Sequence, residues 1–245
     1  MKFYKILDKD ERELAYDHKN TNSGWFHYKT GLNDSSKLRP KHIHFAAKDI
    51  LVFLDIGPWI REVSIPKDIN LIKNPWPGAE KFAAEKVVFG PRRELTAEVV
   101  EELIREGADA RAHGDYPIML ASRDGKTDIV KVLLKHGADV SVENNYAFRK
   151  ACANGHLEIA EMLLEHGADL HVRNSYGHNV LMEACSNGHP EVVEILLKRG
   201  INTNITEVYT IDLLWWTNFG QHRPKDWRRY RNVVKLLKEH ISNLK

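Results

Sequence analysis

No apolar run in these 245 residues approaches the roughly 18 that a membrane-spanning helix needs. Met1-Lys2-Phe3-Tyr4-Lys5 does not open a secretory leader, and an intracellular, cytoplasmic protein is the expectation. Cysteine is nearly missing: Cys152 and Cys185 are the only two, which excludes a disulfide-stapled scaffold and a cysteine-rich zinc cluster. Each follows an alanine, Ala151 or Ala184, and Ser122 after Ala121 fills the same slot earlier in the chain. Packed helices lie about 8–10 Å apart while a disulfide wants Cα atoms within roughly 7 Å, so both read first as small buried thiols, with a redox or metal role as the alternative. The chain has no glycine-rich phosphate loop and no Gly-x-Ser-x-Gly elbow. No metal and no cofactor are expected.

What is present is a charge pattern. Residues 1–92 hold 16 Lys/Arg against 12 Asp/Glu, residues 93–222 hold 12 against 20, and residues 223–245 hold 8 against 2. An acidic middle thus lies between two basic ends. Solvated helix faces account for such a pattern, and an acidic middle also steers a basic partner toward it.

A repeat runs through the middle. Gly107-Ala108-Asp109, Gly137-Ala138-Asp139 and Gly167-Ala168-Asp169 recur, and Gly200-Ile201-Asn202 continues them at steps of 30, 30 and 33 residues. Gly125, Gly155 and Gly188 stand twelve residues before Gly137, Gly167 and Gly200. Each unit therefore reads as a helix, a glycine turn, a second helix and a glycine end, where left-handed backbone favours glycine. Ile129, Val130, Val132, Leu133 and Leu134 form an apolar stripe on one such second helix. A fixed period of this length predicts an α solenoid, a stack of small helical units.

The run Asn154-Gly155-His156-Leu157-Glu158-Ile159-Ala160-Glu161-Met162-Leu163-Leu164-Glu165-His166-Gly167-Ala168-Asp169 resembles the ankyrin-repeat consensus, and Asn187-Gly188-His189 with Leu196-Leu197 repeats it. The resemblance covers residues 95–206 well and 207–245 loosely. It implies about three full units, a leading half-unit and an atypical C-terminal capping repeat over 207–245. The Thr-Pro-Leu-His opening of most ankyrin units is replaced by Tyr116-Pro117-Ile118-Met119, Tyr146-Ala147-Phe148-Arg149 and Asn179-Val180-Leu181-Met182. The 30-residue units leave room only for shortened finger loops. Asn145-Tyr146-Ala147-Phe148-Arg149 followed by Asn154-Gly155-His156 resembles the variant found in giant-virus ankyrin proteins.

The first unit lacks half its residues. Pro91-Arg92-Arg93-Glu94 stands where a core-facing helix belongs, and only a helix from Thr96, as N-cap, to Glu106 survives. Residues 1–92 are thus expected to cap the solenoid of residues 93–245. At the other end, Ile211 to Gly220 reads as an inner helix and Lys225 to His240 as an outer one, with Val233, Val234, Leu236 and Leu237 on its apolar face. Trp227-Arg228-Arg229-Tyr230-Arg231 interleaves aromatic and basic residues, and with Arg223 forms a basic patch. Capping is the first reading of that helix; stacking on nucleic acid is an alternative.

The first ninety residues carry no repeat. Met1 to Leu7, Gly24 to Tyr28, His42 to Ala46, Trp59 to Ile65 and Lys86 to Phe89 read as short strands, with a helix at Asp49 to Asp55, which predicts a small α+β domain. Tyr28-Lys29-Thr30-Gly31-Leu32-Asn33, His44-Phe45, Phe53-Leu54-Asp55, Trp59 to Val63 and Gly90-Pro91 together resemble the domain that precedes the repeats in giant-virus ankyrin proteins. His42-Ile43-His44-Phe45-Ala46 after Gly31-Leu32 is also similar to a stretch of RNA 2′-phosphotransferases and other ADP-ribosyltransferase folds. That likeness implies NAD-using chemistry, with His27, His42 or His44 lining a pocket. The plainer reading puts His42 and His44 on one solvated face of a strand, and two histidines are too few for a persuasive zinc site.

These readings converge on a monomeric protein-binding module in the cytoplasm of a virus's host cell. On ankyrin geometry its exposed inner positions are Asp115, Leu120, Arg123, Asp124, Asn145, Lys150, Asn154, His178, Glu183, Ser186 and Asn187. An N-terminal transferase and a nucleic-acid-binding C-terminal helix are the rival functions.

Overall fold

The computed structural model describes residues 3–7, 12–14, 25–27, 31–34, 43–46, 48–54, 57–74, 81–84, 86–201 and 227–243. The chain divides into two compact units, Met1–Ala121 with Asp128–Ala138, and Ser122–Thr127 with Asp139–Lys245.

The first unit is built on an antiparallel sheet. Its strands are β1 (Phe3–Leu7), β4 (Gly31–Asp34), β5 (Ile43–Ala46), β6 (Trp59–Ser64), β7 (Ile72–Asn74), β8 (Lys81–Ala84) and β9 (Lys86–Phe89), in the order β4-β9-β6-β1-β5-β8-β7, with β10 (Arg93–Glu94) paired to β6. A separate ribbon pairs β2 (Arg12–Leu14) with β3 (Trp25–His27). Alternation along the strands sends Phe45, Val63, Phe82, Ala84, Val87 and Phe89 into one core, with Phe3 edge-on to Phe45 at 5.2 Å and to Phe82 at 5.0 Å. Tyr4, Ile6 and Ile60 are buried from the other side, where the 3-10 helix Lys48–Phe53 contributes buried Ile50 and Leu51. The sheet is therefore covered on both faces along β1, which is why Tyr4, Lys5 and Ile6 are all buried.

No helix precedes α1 (Ala97–Arg105) in the half-unit: residues 93–94 form β10 instead, and the Leu95 amide donates to the Pro58 carbonyl at 2.7 Å. Thr96 caps α1, its hydroxyl accepting from the Val99 amide at 3.5 Å. Val99, Val100 and Leu103 bury the apolar stripe of that helix. Arg93 clasps Glu102 with both terminal nitrogens, the Nη1 bond measuring 2.8 Å, and the Tyr4 hydroxyl donates to the Glu106 carboxylate.

Three repeats follow: α2 (Ala112–Arg123) with α3 (Thr127–Lys135), α4 (Val142–Asn154) with α5 (Leu157–Glu165), and α6 (Val180–Asn187) with α7 (Pro190–Lys198). In the second unit α4 packs on α5 and α6, α6 on α7, and α5 on α7, which makes two layers, α4-α6 and α5-α7. Each second helix ends alike. The glycine is left-handed, at φ 102° for Gly107, 80° for Gly137, 92° for Gly167 and 77° for Gly200. The next amide reaches back five residues, as in Ala168 to Leu163 at 2.9 Å, which satisfies a terminal carbonyl. The aspartates of the Gly-Ala-Asp series close the turn that comes next: Asp109, Asp139 and Asp169 each accept the amide two residues on, at 2.8 Å.

Residues 202–226, including the expected inner helix at Ile211 to Gly220, lie outside the described residues. The final helix α8 (Trp227–Asn243) packs on α7, burying Val233 and Leu237.

Candidate functional site

The repeats begin their first helices in two ways. In the 30-residue units the chain makes a left-handed turn of three residues, His113, Gly114 and Asp115 at φ 57°, 67° and 61°, and Glu143, Asn144 and Asn145 at φ 48°, 57° and 53°. Side chains with a Cβ resist this backbone, and buried polar contacts hold it. Asp115 accepts a two-pronged bond from Arg111, Nε to Oδ1 at 3.0 Å and Nη2 to Oδ2 at 3.0 Å. Asn145 accepts the Asp169 amide at 2.9 Å, and Arg149 Nε donates to the Asn144 carbonyl at 3.0 Å. Pro117 then stands in the first right-handed turn of α2, where its missing amide hydrogen is not needed.

The 33-residue unit starts α6 with an extended N-cap, Asn179, whose side-chain oxygen accepts the Met182 amide at 2.9 Å. The three extra residues make a projecting hairpin. Arg173 bridges to Asn179, and the Asn174 amide donates to the His178 carbonyl at 2.8 Å. Asn174 is its hub: Oδ1 accepts the Tyr176 and His178 amides at 2.9 and 3.0 Å, and Nδ2 donates to Glu183 Oε1 at 2.8 Å. Asn144 Nδ2 donates to the Arg173 carbonyl at 2.5 Å, tying the hairpin to the start of α4. Tyr176 stands at its tip, 84% exposed, with its ring 6.3 Å from that of His178.

The positions expected to form an exposed inner surface divide. Asp115, Leu120 and Asn145 are buried, which corrects the expectation of exposure. The two polar ones turn inward to hold the left-handed turns, and around Leu120 all of Ile118 to Ser122 is buried, so that stretch of α2 offers solvent no face. Arg123, Lys150, His178 and Glu183 are half-buried, while Asp124, Asn154, Ser186 and Asn187 are exposed. Arg123 pairs with Asp124, Nε to Oδ1 at 2.7 Å, and its carbonyl accepts Asn154 Nδ2 at 2.7 Å, which gathers these three. Glu183, His178 and Asn187 gather around Asn174 and the Glu183 carbonyl, the latter accepting Asn187 Nδ2 at 2.9 Å. The Ser186 carbonyl accepts the Tyr230 hydroxyl of α8 at 3.1 Å.

Four side chains outside that set belong to the same surface: Tyr146, Arg149, Arg173 and Tyr176. Arg149 and Lys150 hold their cationic groups 5.7 and 5.5 Å from the Tyr146 ring centre, within cation–π range. The signal for Tyr176 was available in the three-residue excess of its unit.

Other histidines of the repeats are structural. His156 lies over Gly125 and its Nε2 is 3.1 Å from the Arg123 carbonyl; His189 lies over Gly155. His136 faces Glu101 at 3.1 Å, and His166 Nδ1 is 2.8 Å from the Met162 carbonyl. Lys135 and His136 hold the Glu101 carboxyl below its ordinary range. Cys152 and Cys185 are free and buried; burial pushes the Cys185 thiol up to about 12 and raises the Cys152 thiol as well, which disfavours the thiolate form of both.

In the first unit, His27 is on β3 of the ribbon and His44 on β5 of the large sheet, opposite Ala83, so the backbone sets them in different sheets. His42 lies outside the described residues. Of the basic patch, Arg223 also lies outside them, Arg228 and Arg229 are on α8, and Arg231 is exposed there. No group of three or more metal-ligating side chains occurs among the described residues, and no helix among them is long and apolar enough to cross a membrane.

Comparison with protein families agrees with the helix pairs. The model of the family described as ankyrin repeats (3 copies) matches residues 92–174 and 143–207, so this stretch is similar to ankyrin repeats, which generally serve as protein–protein interaction modules.

Proposed function

We propose that this array binds a protein partner through the layer formed by α4, α6 and the hairpin between α5 and α6. The observation that carries this reading is Tyr176, 84% exposed at the tip of a hairpin that Asn174 and Asn144 hold in place. A large exposed aromatic on a pre-ordered support is what interface hot spots use, because little conformational freedom is lost on binding. The exposed side chains beside it, among them Ser186 and Asn187, supply the polar rim of an interface of ordinary size.

Residues 1–92 act in this reading as the cap of the array over residues 93–245, with 207–245 as the atypical C-terminal repeat. Support comes from β10 taking the place of a first helix and from the Tyr4–Glu106 and Leu95–Pro58 hydrogen bonds onto α1 and its approach. The giant-virus type, a host-cell partner and a monomeric state belong to the same proposal and rest on the sequence resemblance.

The test compares proteins captured from a cell lysate by the full chain and by an Arg123→Ala, Lys150→Ala, Glu183→Ala variant of matched thermal stability. Loss of captured proteins is expected. An unchanged set of captured proteins removes this surface from consideration.

A further inference from the structure

Charge is not spread evenly over the second unit. The outer helix α5 carries Glu158, Glu161 and Glu165 and no cation, whereas residues 144–150 and 170–178 carry Arg149, Lys150 and Arg173 and no carboxylate. The acidic balance of residues 93–222 therefore says little about the layer that holds the hairpin. Two tyrosines sit among these cations, Tyr146 beneath Arg149 and Lys150, and Tyr176 three residues beyond Arg173.

The opposing charges that border these stretches are Glu143, Asp169 and Glu183; the Asp169 carboxylate accepts the His171 amide at 2.8 Å. Glu183 is 3.9 Å from Arg149 and already accepts from Asn174, so it is engaged with Arg149 and the hairpin. Glu143 is exposed on the left-handed turn. Among the described residues Lys150 makes no salt bridge, and Arg173 is exposed with its Nη1 donating to the Gly177 carbonyl at 2.8 Å. Lys150 beside Tyr146 on α4, and Arg173 three residues before Tyr176 in the hairpin, thus lie on two elements that Asn144 ties together. A ligand that complements them presents carboxylates on either side of an apolar or aromatic side chain.

We infer that the partner segment docking on the α4–hairpin surface is acidic, with carboxylates meeting Lys150 and Arg173 around an anchor that packs on Tyr146 and Tyr176. This rests on the interaction reading above and reverses the partner charge expected from the overall composition. Tyrosine beside cations also suits single-stranded nucleic acid, but the two cations are fewer than a phosphate track requires.

The experiment pans the full chain against a random dodecapeptide library and then measures affinities of the enriched peptides. Peptides rich in Asp and Glu around an aromatic residue or leucine are expected. Their affinity falls by about tenfold or more with Lys150→Glu/Arg173→Glu, and by about tenfold with Tyr176→Ala. Basic or uncharged peptides that bind this surface and are lost with Tyr176→Ala overturn the acidic partner while leaving the interaction surface intact. Enriched peptides indifferent to every substitution, or no enrichment at all, overturn both. A poly-uridylate oligomer that binds the surface more tightly than any acidic peptide also overturns the inference. If the double variant does not fold, the unaltered chain decides: acidic-peptide affinity must fall as salt rises, and affinity indifferent to salt contradicts the inference.

Discussion

The second and third repeats face one problem, how to bring the chain from a Gly-Ala-Asp turn into the next first helix, and answer it differently. The second uses three left-handed residues, Glu143, Asn144 and Asn145, and stays low. The third uses three more residues, an extended N-cap at Asn179 and a hairpin that lifts Tyr176 into solvent. The low turn carries backbone strain of about 1–2 kcal/mol for each ordinary side chain, offset by buried hydrogen bonds. The hairpin avoids that strain and exposes an aromatic ring. Loop length therefore decides which repeat keeps a low, hydrogen-bonded turn and which lifts an aromatic ring into solvent.

Gly155→Ala has the largest expected effect on this comparison. Its added Cβ would lie 2.4 Å from the His189 ring on a backbone at φ +78°, so destabilisation of about 2–4 kcal/mol is expected by urea unfolding. Gly137→Ala has the same handedness, φ +80°, with open space around it, and should lose only about 1 kcal/mol. Equal losses would mean that the histidine ring does not seat on the glycine.

Asn145→Ala comes next. It removes the acceptor of the Asp169 amide and the short polar side chain that tolerates left-handed backbone, at about 2 kcal/mol. A loss below about 0.5 kcal/mol would show that water replaces that bond without penalty.

The thiols compare all three repeats, since Cys152 and Cys185 share a slot with Ser122 and all are buried. Burial raises both thiols in the folded state above the unfolded value of about 8.5, so folded protein binds more protons than unfolded protein above that pH. Their contribution is intact below about pH 8 and is lost as pH climbs toward about 12 for Cys185. At about pH 9.5 the loss is about 1 kcal/mol per thiol. Cys152→Ala/Cys185→Ala should flatten the fall of stability between pH 8 and that point; an unchanged slope would place the titration elsewhere.

Glu143→Gly has the smallest effect and the opposite sign. Relief at φ 48° outweighs the chain entropy of glycine, for a gain of about 0.5–1 kcal/mol. Ser175→Gly in the hairpin, where no such strain exists, should not stabilise.

Much of this was legible from residues alone. The glycines at 107, 137, 167 and 200 set the helix ends because few other residues accept their backbone, and Pro91 with Arg92 and Arg93 betrayed the missing first helix. Thr96 announced the cap of α1. The fate of Asp115 and Asn145 was not legible: polar residues at expected surface positions turned inward because the shortened loops needed their hydrogen bonds. Strands β2, β4, β7, β8 and β10 were missed because they are two to four residues long and take their form from partners distant in sequence. Gly31-Leu32, read as a step before a pocket, lies in β4 paired with Val88 and Phe89. The inner and outer charge of the second unit was hidden in the total for the acidic middle, since only the fold separates Glu158, Glu161 and Glu165 from Lys150 and Arg173.

The most direct test of an interaction surface on the hairpin side is site-specific photo-cross-linking in cells. A photoreactive amino acid replaces Tyr176 in one variant of the full chain and Glu161 of α5 in another. Partner polypeptides are expected to cross-link from position 176 and not from position 161. Cross-links from position 161 that equal or exceed those from 176 would contradict the account.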